Sequence, residues 1–81
     1  MPYLVRMSRQ VSGKEIIKAL LKLGFTVIRQ KGSHVHLTKD ANGKTLRITV
    51  PVHGNEDLNP FVFRCICRQA EINTDELEKV L

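Results

Sequence analysis

The sequence predicts an α+β fold, of order α-β-β-β-α closed by a short C-terminal helix, in which a three-stranded antiparallel sheet carries both main helices on one face. Three observations predict it. Two segments repeat apolar residues at helical spacing behind recognisable start signals. Two others alternate apolar with polar residues. The connections between the predicted strands are too short for a crossover, so neighbouring strands must run antiparallel. The chain has 81 residues, enough for one small domain, read as a core over 12–81 behind an N-terminal extension over 1–11.

The first helix is placed at 13–23. Ser12-Gly-Lys-Glu15 is a capping box, in which the Ser12 hydroxyl serves the amide of Glu15 and the Glu15 carboxylate reaches back. Val11 and Ile16 stand where a hydrophobic staple forms, and Ile16, Ile17, Ala19, Leu20 and Leu23 supply the apolar stripe. Gly24 follows as a left-handed terminator. Phe25 to Gln30 is rich in strand formers, and Lys31-Gly32 signals a turn. Ser33 to Lys39 alternates, with Val35 and Leu37 on one face and His34, His36 and Thr38 on the other. Asp40-Ala-Asn-Gly43 is a hairpin connection, with Asn42-Gly43 suited to positive φ. Thr45 to Val52 turns Leu46, Ile48, Val50 and Val52 inward and Arg47 and Thr49 outward. Pro51, Gly54 and Asn55 mark an irregular link. Asn59-Pro60 then opens a second helix at 60–70, with Phe63, Ile66, Cys67 and Ala70 as its stripe. Ile72, Asn73, Glu76 and Leu77 repeat the staple and capping box for a terminal helix at 74–80.

Composition narrows the function. Apolar residues make up 42%, aromatic ones 5%, and Trp is absent, so the core must be built of Ile, Leu and Val. A domain this small buries only about 60% of its unfolded surface. Nearly every apolar residue is therefore expected in the core, with no room for a deep pocket. Chemistry should take place on a surface, with a large substrate. No apolar run is long enough for a membrane span, and no signal-peptide core appears, which points to the cytoplasm. Two cysteines cannot make a disulfide scaffold. Cys65 and Cys67 point about 200° apart on a helix and read as small buried apolar residues.

Charge points to nucleic acid. The formal net charge is +5. Residues 71–81 hold four carboxylates against Lys79, a local −3, which leaves +8 on residues 1–70. A basic body of this kind suits phosphate, although the same charge could serve solubility alone. Lys14, Lys18 and Lys22 form one stripe at i, i+4, i+8, fit for an RNA backbone or for plain solvation. Arg64 and Arg68 make a similar pair. Arg29, Lys31 and Arg47 lie nearer His34 and are the better candidates for contact with substrate.

His34 is the most informative residue. It follows Gly32, which allows close backbone approach, and Ser33, a hydroxyl donor. Histidine is the side chain whose ordinary titration lies near neutral pH. RNA cleavage needs such a group, as a base for the 2′-hydroxyl or as an acid for the departing 5′-oxygen, with cations to offset charge on the phosphoryl group. His36 shares the outer face about 6–7 Å along the strand. His53 ends the third strand. A His-x-His pair with His53 could suggest zinc, but no Asp, Glu or Cys supports them on that face, so neither metal nor cofactor is expected. His36 and His53 remain substrate contacts or surface residues.

The sequence resembles the HicA family of small toxins, the ribonuclease half of HicA–HicB toxin–antitoxin modules. The resemblance runs from Ser12 to about Leu77. It rests on Ser12-Gly-Lys-Glu15, Leu23-Gly-Phe25, Gln30-Lys-Gly-Ser-His34, Val50-Pro-Val-His53 and the stretch from Leu58 through Arg64 to Arg68-Gln-Ala70. It implies a fold like that of double-stranded-RNA-binding domains, mRNA as substrate, His34 as the single catalytic histidine, and a HicB-type antitoxin as partner. Two positions depart from the family pattern, which often has Gly where this chain has Phe61 and Glu71. The rival reading is a non-catalytic RNA-binding module with the same surface, in which His34 contacts a 2′-hydroxyl.

Overall fold

The computed structural model describes residues 10–54 and 56–81. The N-terminal extension before residue 10, and Asn55 in the predicted link, lie outside the described residues. The elements follow in the predicted order: α1 (Gly13–Lys22), β1 (Thr26–Lys31), β2 (His34–Ala41), β3 (Lys44–Pro51), α2 (Pro60–Ala70) and α3 (Thr74–Glu78). The strands form one antiparallel sheet in the order β1-β2-β3.

Both capping boxes form. Ser12 Oγ accepts from the Glu15 amide at 3.3 Å, and the Ser12 amide donates to Glu15 Oε1 at 3.0 Å. Asn73 and Glu76 make the same pair of bonds at the start of α3. Asn59 Oδ1 accepts from the Phe61 amide at 2.7 Å, with Pro60 in the first turn, where its missing N–H costs nothing. The end of α1 is closed by bonds from the Gly24 amide to the Leu21 carbonyl and from the Phe25 amide to the Leu20 carbonyl. Lys39 adds its ammonium, which donates to the Leu23 carbonyl at 2.8 Å and lies 5.6 Å from the Phe25 ring centre.

The core lies between one face of the sheet and the two long helices. Val35, Leu37, Leu46, Ile48 and Val50 meet Ile16, Ala19 and Leu20 of α1 and Phe63, Ile66, Cys67 and Ala70 of α2. All four predicted stripe residues of α2 are buried. Gly13 explains how α1 sits so close to the sheet: a Cβ there would fall 2.4 Å from the Pro51 carbonyl oxygen. The helix start is thereby seated against the end of β3.

Several expectations need correction. The first strand is Thr26–Lys31 rather than 25–30, because Phe25 is drawn into the core as the last residue of the helix stop. The turn is Gly32-Ser33 rather than Lys31-Gly32, with φ of +58° at Gly32. The next connection is only Asn42-Gly43, both at positive φ, so β2 runs on to Ala41. β3 accordingly covers Lys44–Pro51, and Val52 is half-buried beyond it. The terminal helix stops at Glu78. Nor is nearly every apolar residue in the core, since Leu21, Val27, Ile28 and Phe61 are exposed. Val27 and Ile28 are on β1, an edge strand that the helices barely cover and whose six residues are all exposed. Cys67 is buried but Cys65 only half so.

Candidate nucleic-acid interface

Among the described residues nothing packs on the face of the sheet away from the helices, and the register determines what stands on this open face. In an antiparallel pair, residues directly opposite each other project to the same side, about 4.5–5.5 Å apart at Cβ. Across β2, His34 faces Lys31 on one side and Pro51 on the other. His36 faces Arg29 and Thr49, and Thr38 faces Thr26 and Arg47. The inner partners Val35 and Leu37 are buried, so His34, His36 and Thr38 belong to the open face. The pairing thus brings His34, His36, Arg29, Lys31 and Arg47 onto one surface, with a cation opposite each histidine on β1.

His34 is exposed at the first position of β2, immediately after the turn. Its ring makes no hydrogen bond among the described residues. A Cβ on Gly32 would meet nothing within 4 Å among the described residues, so the turn before His34 is open on that side. Positive φ at Gly32 is a conformation that glycine adopts without strain. Ser33 is half-buried, and its carbonyl accepts from the Val52 amide at 2.7 Å. That bond fixes the backbone one residue before His34 to the end of β3. Gln30 Nε2 donates to the Gly32 carbonyl at 3.1 Å and braces the turn from the other strand.

His36 is held more firmly. It is half-buried, and Nδ1 lies 3.1 Å from Thr49 Oγ1. Beside it the face dips into an open hollow of about 400 Å³, which Ile28, Arg29, His36, Thr38, Arg47 and Thr49 line. The hollow depends on an irregularity in β1. The register shifts between Val27 and Arg29, leaving Ile28 as an extra residue, and the bulge lets the consecutive Ile28 and Arg29 both line the same hollow.

The remaining predicted contacts lie elsewhere. Lys14, Lys18 and Lys22 are exposed on the side of α1 turned away from Ile16, Ala19 and Leu20, hence away from the open face. Lys22 Nζ donates to the Val80 carbonyl at 3.2 Å. Arg64 and Arg68 are exposed on α2, and His53 is exposed beyond the end of β3. Among the described residues, no three His, Cys, Asp or Glu side chains are placed to hold a metal ion. The Cys67 thiol is pushed up to about 11, by burial first and then by the carboxylates of Glu78 and Glu76, so it stays protonated and unreactive at neutral pH.

Sequence reasoning missed Thr49 as the partner of His36, and Ile28 and Thr38 as lining residues. Counting outward from a two-residue Asn42-Gly43 turn would have paired His36 with Thr49. A four-residue connection obscures that register. The bulge at Ile28 leaves no such signal.

Among the described residues, no helix is long and apolar enough to cross a membrane. No curated protein shows significant similarity to the chain. A family model described as the HicA toxin of bacterial toxin–antitoxin systems matches residues 13–72, from the start of α1 through β1, β2 and β3 to just past α2. That span holds the sheet, its open face and both helices behind it, and it establishes that the chain belongs to the HicA toxin family.

Proposed function

We infer that this toxin is an endoribonuclease that cuts mRNA on the open face of its sheet, by acid–base chemistry at His34 without a metal ion. The observation that carries the reading is the pairing of an exposed His34 with Lys31 across the β1–β2 ladder, on a face that no helix among the described residues covers. In the reaction the 2′-oxygen attacks phosphorus, the bond from phosphorus to the 5′-oxygen breaks, and a proton passes from the first oxygen to the second by way of the enzyme. His34 serves one of these two transfers. Lys31 and Arg29 offset the charge on the phosphoryl oxygens, and Ser33 orients the phosphate or the ring. His36 and Arg47 hold the strand beyond, and Lys14, Lys18 and Lys22 track backbone farther from the cut. One histidine supplies about 10²–10⁴ in rate, a modest enzyme suited to arresting growth.

The test is His34→Ala. Cleavage of RNA and growth arrest should both be lost while the melting temperature and RNA affinity stay near wild type. Cutting at the wild-type rate would remove His34 from the chemistry. A wild-type chain that binds RNA but never cuts it would leave the non-catalytic binding module as the better reading. Activity should also survive EDTA, and a loss that zinc restores would reinstate a metal site.

Neutralisation follows from the same placement. A HicB-type antitoxin would act most simply by covering the open face with acidic or hydrogen-bonding groups, which also steers a fast encounter. Such an interface should bury about 1,200–2,000 Å² in total. In the inhibited complex the His34 ring should be protected from chemical modification. Equal modification of His34 in the complex and in the free toxin would exclude occlusion.

A further inference from the structure

The hollow beside His36 does more than extend a basic surface. The geometry points to a nucleotide subsite there, which holds the residue flanking the scissile bond and reads its base, an assignment that rests on cleavage at His34. Four observations support it. First, the position fits. His36 stands two residues along β2 from His34 and Thr38 four, or about 6.6 and 13 Å at the usual rise. A chain cut at His34 and running along the strand places its next nucleotide over this hollow. Second, the size fits, because an open space of about 400 Å³ holds one nucleotide.

Third, the chemistry of the lining is divided in the way a nucleotide is. Arg29 and Arg47 approach from the two outer strands, and among the described residues no carboxylate lines the hollow. Guanidinium groups grip phosphate through paired hydrogen bonds and also stack on bases. Thr38 offers a hydroxyl. His36, with Nδ1 engaged by Thr49, has Nε2 left for a base edge. Fourth, the bulge places an apolar side chain where a solvated face has no use for one. Ile28 is 57% exposed, on an edge strand, beside two arginines. Counted from Lys31 opposite His34, regular pairing would set Ile28 opposite the inward Leu37, and counted from Thr26 opposite Thr38 it would set it opposite His36; at the bulge it lines the open face. Exposing an isoleucine is unfavourable in the free protein, and a base lying on it would remove that surface from water.

The subsite can be tested without cleavage. A short RNA with 2′-O-methyl groups throughout lacks the attacking hydroxyl and cannot be cut. Titrated into methyl-labelled full-length chain, it should give intermolecular NOEs between base protons and the Ile28 and Thr38 methyls. Arg47→Ala should weaken its binding about tenfold. Ile28→Asp, at an exposed position and with a melting temperature expected to stay near wild type, should weaken it by a similar factor by placing a carboxylate among phosphates. Absence of these NOEs at saturation, with Ile28→Asp binding as wild type, would overturn the subsite. The catalytic reading is judged separately, by His34→Ala on unmodified RNA. Its failure would leave the NOEs in place as a binding groove, and failure of the NOEs would leave His34 untouched.

Discussion

The same three strands build two faces that answer to different demands. Toward the helices they present Val35, Leu37, Leu46, Ile48 and Val50, all buried. Away from them they present His34, His36, Arg29, Lys31 and Arg47, and no helix among the described residues packs there. The period of two along a strand is what allows this, because neighbouring residues serve opposite faces with no compromise between them. Stability is therefore concentrated on one side and chemistry on the other, and substitutions on the two sides should separate cleanly.

The sharpest way to break that comparison is to change adjacent faces of β2 and measure both properties. His34→Ala should abolish cleavage with a stability change within about 0.5 kcal/mol, as for surface positions generally. Leu37→Ala should cost about 2–5 kcal/mol, since Leu37 is fully buried at the centre of the sheet and its removal leaves a cavity. Urea unfolding reads the second, and a cleavage assay on the folded fraction reads the first. If Leu37→Ala shifted no midpoint, or His34→Ala shifted it by several kcal/mol, the division of labour between the faces would be wrong.

A finer comparison sets the open face against the solvent side of α1. Both carry three cations, Arg29, Lys31 and Arg47 on one and Lys14, Lys18 and Lys22 on the other. Those on the sheet cluster around the histidines. The lysines line a helix on the opposite side of the molecule, and one of them already bonds to the Val80 carbonyl. Replacing either set by Gln should flatten the dependence of log K on log salt, by at most about 0.7 per lost contact with single-stranded RNA. The sheet set should approach that limit, and the lysine set should fall well short of it while weakening all RNA sequences alike. Equal slopes would mean that RNA wraps both sides. No change at all in the lysine variant would make that stripe a solvated surface.

Much of this architecture is legible in the residues alone, and the exceptions share a cause. Ser12 with Glu15 and Asn73 with Glu76 announce helices through local chemistry, and local chemistry is what a sequence displays directly. The alternation around Val35 and Leu37, and again around Ile48 and Val50, is enough to assign His34, His36, Arg47 and Thr49 to the outer face. What escaped was set by pairing between segments. The extra residue at Ile28 follows from how β1 meets β2, since Thr-Val-Ile-Arg-Gln has no alternation of its own to contradict. The exposure of Val27 and Ile28 follows from β1 being at the edge. The bond from His36 to Thr49 depends on a hairpin register that a two-residue turn fixes. The left-handed residue that ends α2 escaped for a different reason, because the residue there is Glu71 where the signal would be glycine.

Glu71 gives the smallest effect and a control remote from both faces. It ends α2 with φ of +57° and ψ of +41°, the left-handed region that costs an L-residue about 1–2 kcal/mol. The structure shows what a glycine would do at this position, since glycine adopts the left-handed region without that cost. One contact offsets the strain: Lys44 Nζ donates to Glu71 Oε2 at 2.6 Å, between side chains that are about half exposed. An ion pair so open to water contributes at most about 1 kcal/mol and weakens with salt. Glu71→Gly loses the pair and also enlarges the conformational freedom of the unfolded chain, by about 0.5–1 kcal/mol. The relief of strain should still prevail in 0.5 M salt, where the pair is screened, giving a gain of about 0.5 kcal/mol, or about 2–4 °C in Tm for a domain of this size. Lys44→Gln separates the two contributions, since it removes the pair and leaves the backbone strained, and its Tm should fall slightly at low salt and match wild type at high salt. Cleavage should be unchanged in both variants. A lower Tm for Glu71→Gly in high salt would show that the left-handed turn is not strained by its side chain, and a change in cleavage would show that the end of α2 communicates with the open face after all.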